Sequence, residues 1–309
     1  MRIVFMGTPE FAVPSLQALV ENGFDVVGVI TQPDKPKGRG GKVQQSPVKE
    51  YALSKNIPVF QPLKIRNELE MLQNLKPDYC VTAAFGQILS QAVLDISKAT
   101  INVHGSLLPK HRGAAPAQWA ILQGDAVTGI TTMFTDKGID TGKMLLKAEC
   151  AIEPTDTAGS LLQKLSVIGA NLLIQTLKNI ETIVPIEQNE AEFTYDPMLK
   201  KEMGEIDFTK PAEYIERQVR AMQPWPKAYI TSHSGLQYKI TQAKVLQNSS
   251  KEPGTVVFAS SKQGLIVATA TKDIQILRMQ APNKKEMDAA AYLLGKPMQS
   301  NIQITQALE

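Results

Sequence analysis

The chain has 309 residues, enough for two domains or one large one, with 43% hydrophobic and 20% charged side chains. That composition excludes a disordered chain, and no apolar run approaches the length of a membrane span. Net charge is only +3, but residues 205–309 carry 13 Lys and Arg against 9 Asp and Glu, which suits a polyanionic partner or reflects chance variation in a solvated surface.

The start, MRIVFMG, runs straight into a strand pattern with no charged-then-apolar leader, so a cytoplasmic protein without a membrane partner is expected. Thr8 then reads as a helix N-cap, with Pro9 at the first helical position and Glu10 in the first turn. Gly7 is the sole glycine of this turn, so the GxGxxG dinucleotide fingerprint is absent. A helix over 10–22 ends at Gly23, and 24–31 is a second buried strand. Residues 31–47, TQPDKPKGRGGKVQQSP, are too long for a routine connection. Lys35, Lys37, Arg39 and Lys42 stand there against Asp34. Such a segment is either a solvated flexible loop or one that orders on a phosphate backbone; its length and charge together favour nucleic acid.

Helix and strand patterns continue to alternate: helix 46–56, strand 57–62, helix 67–77, strand 78–85, helix 87–96, strand 100–105. Near-continuous apolar strands in this rhythm predict a doubly wound, mostly parallel sheet of the Rossmann-like α/β kind. Cys80 and Cys150 are isolated, with no spacing suited to zinc, and read as buried free thiols; no metal is expected. Near residue 128 the rhythm changes to two strands around the loop DKGIDTG. A long helix follows over 156–180, with Asp156 as candidate cap and Leu161, Leu162, Leu165, Ile168 and Leu172 as its apolar stripe. The division expected is a first domain over 1–184, a polar linker over 185–206 with contacts at Phe193 or Tyr195, and a second domain over 207–309. That second domain opens with a helix stopped by Pro224 and continues in short, turn-punctuated strands that suggest a small antiparallel β-barrel, closed by a helix over 283–295.

The chemistry concentrates at INVHGSLLPKHRGAAP. Asn102 and His104 occupy alternate positions of one strand and so face the same way. They lie at the C-terminal end of a parallel strand, where open α/β sheets place ligands. An Asn amide can donate to a developing oxyanion, and a His can take or give a proton near neutral pH. The downstream loop offers Asp136 and Asp140 as partners for the imidazole. A satisfied structural histidine is the alternative for His104. No GxSxG or activated Cys accompanies the site, and Ser106 reads as a turn contact. Direct acyl transfer to an amine is the reaction class that fits.

These stretches, NVHGSLLPKHRGAAP with GIDTG, resemble the 10-formyltetrahydrofolate-dependent formyltransferase family. MRIVFMGTPEFAVPSL and TQPDKPKGRGGK are similar to the branch whose acceptor is methionyl initiator tRNA, and KPAEYIERQVRAMQPWPKAY to the start of its C-terminal domain. The resemblance implies an OB-like second domain, 10-formyltetrahydrofolate as formyl donor, no metal, and a cytoplasmic monomer that serves translation initiation. It implies a catalytic trio of Asn102, His104 and Asp140. It implies folate contacts at Ser106, Leu107, Leu108 and Pro109, at Phe85, Gly86, Gln87, Ile88 and Leu89, and at Asp136. It places Lys35, Lys37, Arg39 and Lys42 toward the acceptor end of the tRNA. A bulky or aromatic residue is expected at position 111, where this chain has His111. Two rivals remain at this point: a formyltransferase acting on a small amine such as an amino-sugar nucleotide, and a non-catalytic RNA-binding protein.

Overall fold

The computed structural model describes residues 1–37, 42–248 and 251–308. The chain forms two compact units. The first takes in Met1–Pro116, Val127–Ala151 and Leu162–Asp196; the second takes in Ala117–Ala126, Ile152–Leu161 and Pro197–Glu309.

The first unit opens with β1 (Arg2–Gly7), whose Ile3 to Met6 are fully buried. A 3-10 turn at Glu10–Ala12 leads into α1 (Val13–Glu21). Thr8 caps neither: Pro9 is the N-cap of the 3-10 turn and Ala12 that of α1, both without a side-chain bond. The Thr8 hydroxyl instead donates to the Phe85 carbonyl at 3.3 Å and accepts the Gln32 N–H at 3.2 Å. β2 (Asp25–Ile30) lies parallel to β1. The basic stretch beyond it is not a bare loop, because β3 (Lys35–Lys37) pairs antiparallel with β4 (Lys42–Gln44). α2 (Pro47–Ser54) starts where the Ser46 hydroxyl accepts the Lys49 N–H at 3.2 Å. β5 (Val59–Phe60), α3 (Leu69–Leu75), β6 (Tyr79–Ala83), α4 (Gln91–Leu94) and β7 (Ala99–His104) complete the alternation. After β8 (Arg112–Gly113) and α5 (Pro116–Gln123) come β9 (Val127–Phe134) and β10 (Met144–Ala151).

Seven strands form one sheet in the order β10-β9-β7-β6-β1-β2-β5. The five from β7 to β5 are parallel; β9 and β10 are added antiparallel. The chain leaves β1 on one side for β2 and β5, then returns on the other side as β6. That reversal opens a crevice at the carboxyl ends of β1 and β6, where such sheets bind ligands.

α6 (Ala158–Lys178) buries Leu161, Leu165 and Leu172 as its stripe predicts. Its first turn is held by the Thr157 hydroxyl, which accepts the Ser160 N–H at 3.2 Å, while Asp156 accepts the Ser160 hydroxyl at 2.8 Å. Most of the stretch read as a linker is exposed, but Gln188, Asp196, Leu199 and Ile206 anchor it by burial. Ile186 forms a β-bridge to Met144, and β11 (Tyr195–Asp196) pairs with β8.

In the second unit α7 (Ala212–Ala221) precedes β12 (Ala228–Thr231), β13 (Gln237–Asn248), β14 (Val256–Ser260), β15 (Gly264–Ala268) and β16 (Lys272–Gln280). All pairs are antiparallel, in the order β12-β13-β16-β15-β14, with β17 (Met287–Asp288) added on β16. Ile215 and Val219 of α7 pack with Ile230, Ile240, Val267, Ile276 and Met279 of these strands. The helix expected over 283–295 is shorter. Arg278 draws Glu286 and Asp288 onto β16, each at 2.9 Å, so β17 precedes α8 (Ala289–Gly295). α9 (Ile304–Ala307) follows. Among the described residues no helix is long and apolar enough to cross a membrane.

Candidate active site

β7 lies between β6 and β9, and its register puts Asn102 beside Thr82 and His104 beside Thr131. The Thr82 hydroxyl donates to Asn102 Oδ1 at 2.8 Å, so the amide NH2 faces the opposite way, toward Asp140 Oδ1 at 3.4 Å. Asp140 comes from the connection between β9 and β10 with φ +54, a left-handed conformation that Asp tolerates better than most residues. Its Oδ2 accepts the Gly113 N–H at 2.9 Å. Its Oδ1 lies 3.5 Å from His104 Nδ1. His104 is only 5% exposed, and its Nε2 lies 2.9 Å from the His111 carbonyl oxygen. A carbonyl only accepts, so Nε2 carries a proton, and Nδ1 is the ring nitrogen that faces the Asp140 carboxylate.

The structure thus brings Asn102, His104 and Asp140 into one cluster, each group oriented by a neighbour that the sequence alone does not single out. Thr82 orients the amide. Gly113 holds the carboxylate. Gln188, 8% exposed, donates to the carbonyls of Asp140 at 2.7 Å and Gly142 at 2.8 Å. Signals for Gln188 and Gly113 are weak in sequence because each bond pairs a side chain with a main-chain group far along the chain.

Beside this cluster the SLLP segment is a locked turn. The Ser106 hydroxyl donates to the Lys110 carbonyl at 2.7 Å, and Thr131 Oγ1 donates to Ser106 O and accepts the Leu108 N–H. Leu108 packs with Met133 and Met144, and the Leu108–Pro109 peptide is cis. Ser106, Leu108 and Pro109 are buried and Leu107 is half-buried. Lys147 donates to the Leu108 carbonyl, and burial pushes its pKa down.

Phe85, Gly86, Gln87, Ile88 and Leu89 follow β6, beside the sheet reversal. Phe85 and Leu89 are buried, whereas Ile88 is 82% exposed. The Phe85 carbonyl accepts from Thr8 and from Gln32 Nε2. Gln87 turns inward onto Ile65 N–H and the Pro62 carbonyl. Asp136 organises its own loop, its Oδ1 accepting the Gly138 N–H at 3.0 Å and the Thr141 hydroxyl at 2.7 Å.

Of the basic candidates, Lys35 is exposed on β3. Arg39 and the side chains of Lys37 and Lys42 lie outside the described residues. Asp34, at the root of this hairpin, is bound to Lys49 at 2.6 Å and to Gln61 at 2.8 Å. Those two hydrogen bonds, Lys49 first, hold its carboxyl below the usual range. Arg112, within the basic run after SLLP, is buried: it bonds Gln188 and Glu190 and stacks 5.0 Å over Phe193. No group of three or more His, Cys, Asp or Glu among the described residues could hold a metal ion.

Residues 1–177 match the family Formyl transferase, and residues 198–297 match Formyl transferase, C-terminal domain. A Clostridioides difficile protein called methionyl-tRNA formyltransferase is 46% identical, over 98% of this chain and 99% of its own length. A Caldanaerobacter subterraneus protein of the same name is 49% identical, over 96% and 97%. Among solved structures, a Helicobacter canadensis N-formyltransferase in complex with folinic acid and dTDP-3-aminofucose superposes with a TM-score of 0.68 at 23% identity, covering 89% of this chain and 98% of its own. Methionyl-tRNA formyltransferase from Clostridium thermocellum gives a TM-score of 0.58 at 20% identity, covering 79% and 93%. At these identities the structures report the fold.

Proposed function

The chain belongs to the formyl transferase family, in its methionyl-tRNA branch, and from that premise we propose how its residues transfer a formyl group from 10-formyltetrahydrofolate to methionyl initiator tRNA. The folate supplies an electrophilic formyl carbon, and the α-amino group of the esterified methionine attacks it. A free α-amino group has a reference pKa of about 7.7–8.0, so a neutral fraction is present near pH 7.

As the amine attacks, negative charge develops on the formyl oxygen and positive charge on nitrogen. Asn102 supplies the oxyanion donor, because Thr82 occupies its carbonyl and leaves the NH2 free to turn between Asp140 and substrate. His104 Nδ1 receives the proton released by nitrogen, since Nε2 is engaged by the His111 carbonyl. Asp140 stabilises the imidazolium that results, and as the carbonyl re-forms and the carbon–N10 bond breaks, that imidazolium gives its proton to the departing N10 of tetrahydrofolate. No side chain forms a covalent intermediate. The Asp140 carboxylate oxygen, 3.4 Å from the Asn102 amide nitrogen and 3.5 Å from His104 Nδ1, is the observation that carries this reading.

The folate is assigned to the crevice between the SLLP turn and the strip 85–89. The strip offers main-chain groups at Gly86 (φ +79) and the exposed Ile88 side chain. Ser106, Leu107, Leu108 and Pro109 contribute the opposite wall through backbone and the Leu107 side chain, and Asp136 shapes the adjoining loop. Residues 1–184 carry the chemistry and 207–309 hold the body of the tRNA. Lys35, Lys37, Arg39 and Lys42 hold its acceptor end, and the protein acts as a cytoplasmic monomer.

The test is formylation of methionyl initiator tRNA by the purified protein with 10-formyltetrahydrofolate, with uncharged tRNA and an amino-sugar nucleotide in parallel. Formylmethionyl-tRNA alone is expected. Transfer to the sugar amine alone would keep the trio and discard the tRNA assignment.

A further inference from the structure

The two proton-handling groups of the trio are held by one short piece of backbone. His104 Nε2 donates to the His111 carbonyl, and Asp140 Oδ2 accepts the Gly113 N–H. Segment 111–113 is held in turn by the strap at 194–196. The His111 N–H donates to Thr194 Oγ1 at 2.7 Å, Arg112 N–H to the Thr194 carbonyl at 2.9 Å and Ala114 N–H to the Asp196 carbonyl at 3.1 Å. Strand and strap approach so closely that a Cβ on Gly113, whose φ is +120, would overlap the Asp196 carbonyl oxygen.

A side-chain lock completes this arrangement. His111 sits at φ +61, a backbone region unfavourable for a bulky residue. Its ring, 4% exposed, places Nδ1 2.7 Å from Oδ2 of Asp196, which is 1% exposed. A buried carboxylate is costly unless it is hydrogen-bonded, and an apolar aromatic at 111 would leave this one with no imidazole. The His111 ring therefore fills an aromatic-sized space and also pins the carbonyl that fixes His104.

We propose that Asp196 is a positioning residue for formyl transfer, acting through His111 to hold the His104 imidazole in register with Asp140. It touches neither substrate nor reacting atoms. Its carboxylate anchors His111, the His111 carbonyl keeps the proton on His104 Nε2, and Nδ1 stays beside Asp140 to take the proton of the amine. This rests on the assignment of His104 as proton acceptor made above.

The experiment compares Asp196→Ala and Asp196→Asn with the wild type in formylation of methionyl initiator tRNA, separating kcat from KM for each substrate. A displaced catalytic group lowers the rate by as much as about 100-fold with little effect on binding. Asp196→Ala is expected to lower kcat about 10- to 100-fold with both KM values within about twofold of the wild type. Asp196→Asn, which can still accept from His111 Nδ1, is expected to recover most of kcat. The chain has only three histidines, so long-range proton–nitrogen NMR can follow His104 directly. The wild type should show its Nε2–H tautomer, and Asp196→Ala a mixture.

Near-normal kcat in Asp196→Ala with an unchanged His104 tautomer would overturn the inference. So would an asparagine variant as slow as the alanine one, or a loss confined to KM. If Asp196→Ala does not fold, Thr194→Val decides, because it removes only the side-chain acceptor of the His111 N–H; unchanged kcat there would overturn the inference equally. A wild type with no transfer to methionyl-tRNA would instead sink the functional reading itself.

Discussion

Asn102 shows how much one residue's surroundings decide. Its amide could point either way, but the Thr82 hydroxyl on one side and the Asp140 carboxylate on the other leave one orientation that satisfies both. Asn102→Ala removes the oxyanion donor and should lower kcat by about 100- to 1,000-fold, an effect of about 2.7–4 kcal/mol. Circular dichroism should stay at wild type, since Asn102 is only half-buried. A kcat within tenfold of wild type would remove Asn102 from the oxyanion role. Asn102 and His104 were legible in the sequence because alternation along a strand is a local signal, and two residues apart means one face; the residues left Asp136 and Asp140 open as the partner, and only the family resemblance singled out Asp140. The orienting groups were not legible. Thr82, Gly113 and Gln188 reach the cluster, and Asp196 reaches His111, across 20 to 85 positions of chain, through sheet register and bonds that leave no local pattern. His111 stood out only as an unexpected residue type, and its partner Asp196 explains it.

At the scale of elements, strands and helices of the parallel half are legible from apolar runs, while the connections are not. The 31–47 stretch reads as a loop because Pro and Gly dominate it, yet β3 and β4 pair within it. The polar stretch 185–206 reads as a linker because no apolar periodicity marks it. It packs instead through buried polar groups such as Gln188 and Asp196. The loop carrying Asp140 closes on Gly142, where a Cβ would overlap the Phe134 carbonyl oxygen, and Gln188 holds its two carbonyls. Gly142→Ala must therefore push this loop outward and carry Asp140 away from His104. Turnover should fall about 100-fold, the cost of a misplacement near 1 Å. Thermal denaturation should stay cooperative, because the seven-stranded sheet does not depend on this loop for its pairing. Unchanged turnover would show that the loop can relax without moving Asp140.

For the whole molecule, ionisable groups of both units shape stability against pH on two sides. On the acid side Asp34 is lowered by Lys49 and Gln61, Glu213 chiefly by Lys272, and Glu286 chiefly by Arg278. A carboxyl with a depressed folded pKa stabilises above its unfolded value, near pH 4, and that contribution is lost as pH falls through the folded value. On the alkaline side burial raises the Cys80 thiol to about 11. A thiol raised in this way stabilises fully below its unfolded pKa of about 8.5, and the contribution fades as pH climbs toward the folded value. The Cys80 shift corresponds to about 3 kcal/mol at most, at about 1.4 kcal/mol per unit. Urea midpoints should therefore be flat from pH 5 to 8 and fall on both sides. Cys80→Ala should be less stable than the wild type at pH 7, because it empties volume in the core that packs on β6, yet lose less on going to pH 10.5. Parallel alkaline slopes for the two proteins would mean that the Cys80 thiol is not the group whose ionisation opens the sheet. Ellman's reagent supplies the independent check, since a thiol so raised and 1% exposed should stay unreactive at pH 8 until urea unfolds the chain.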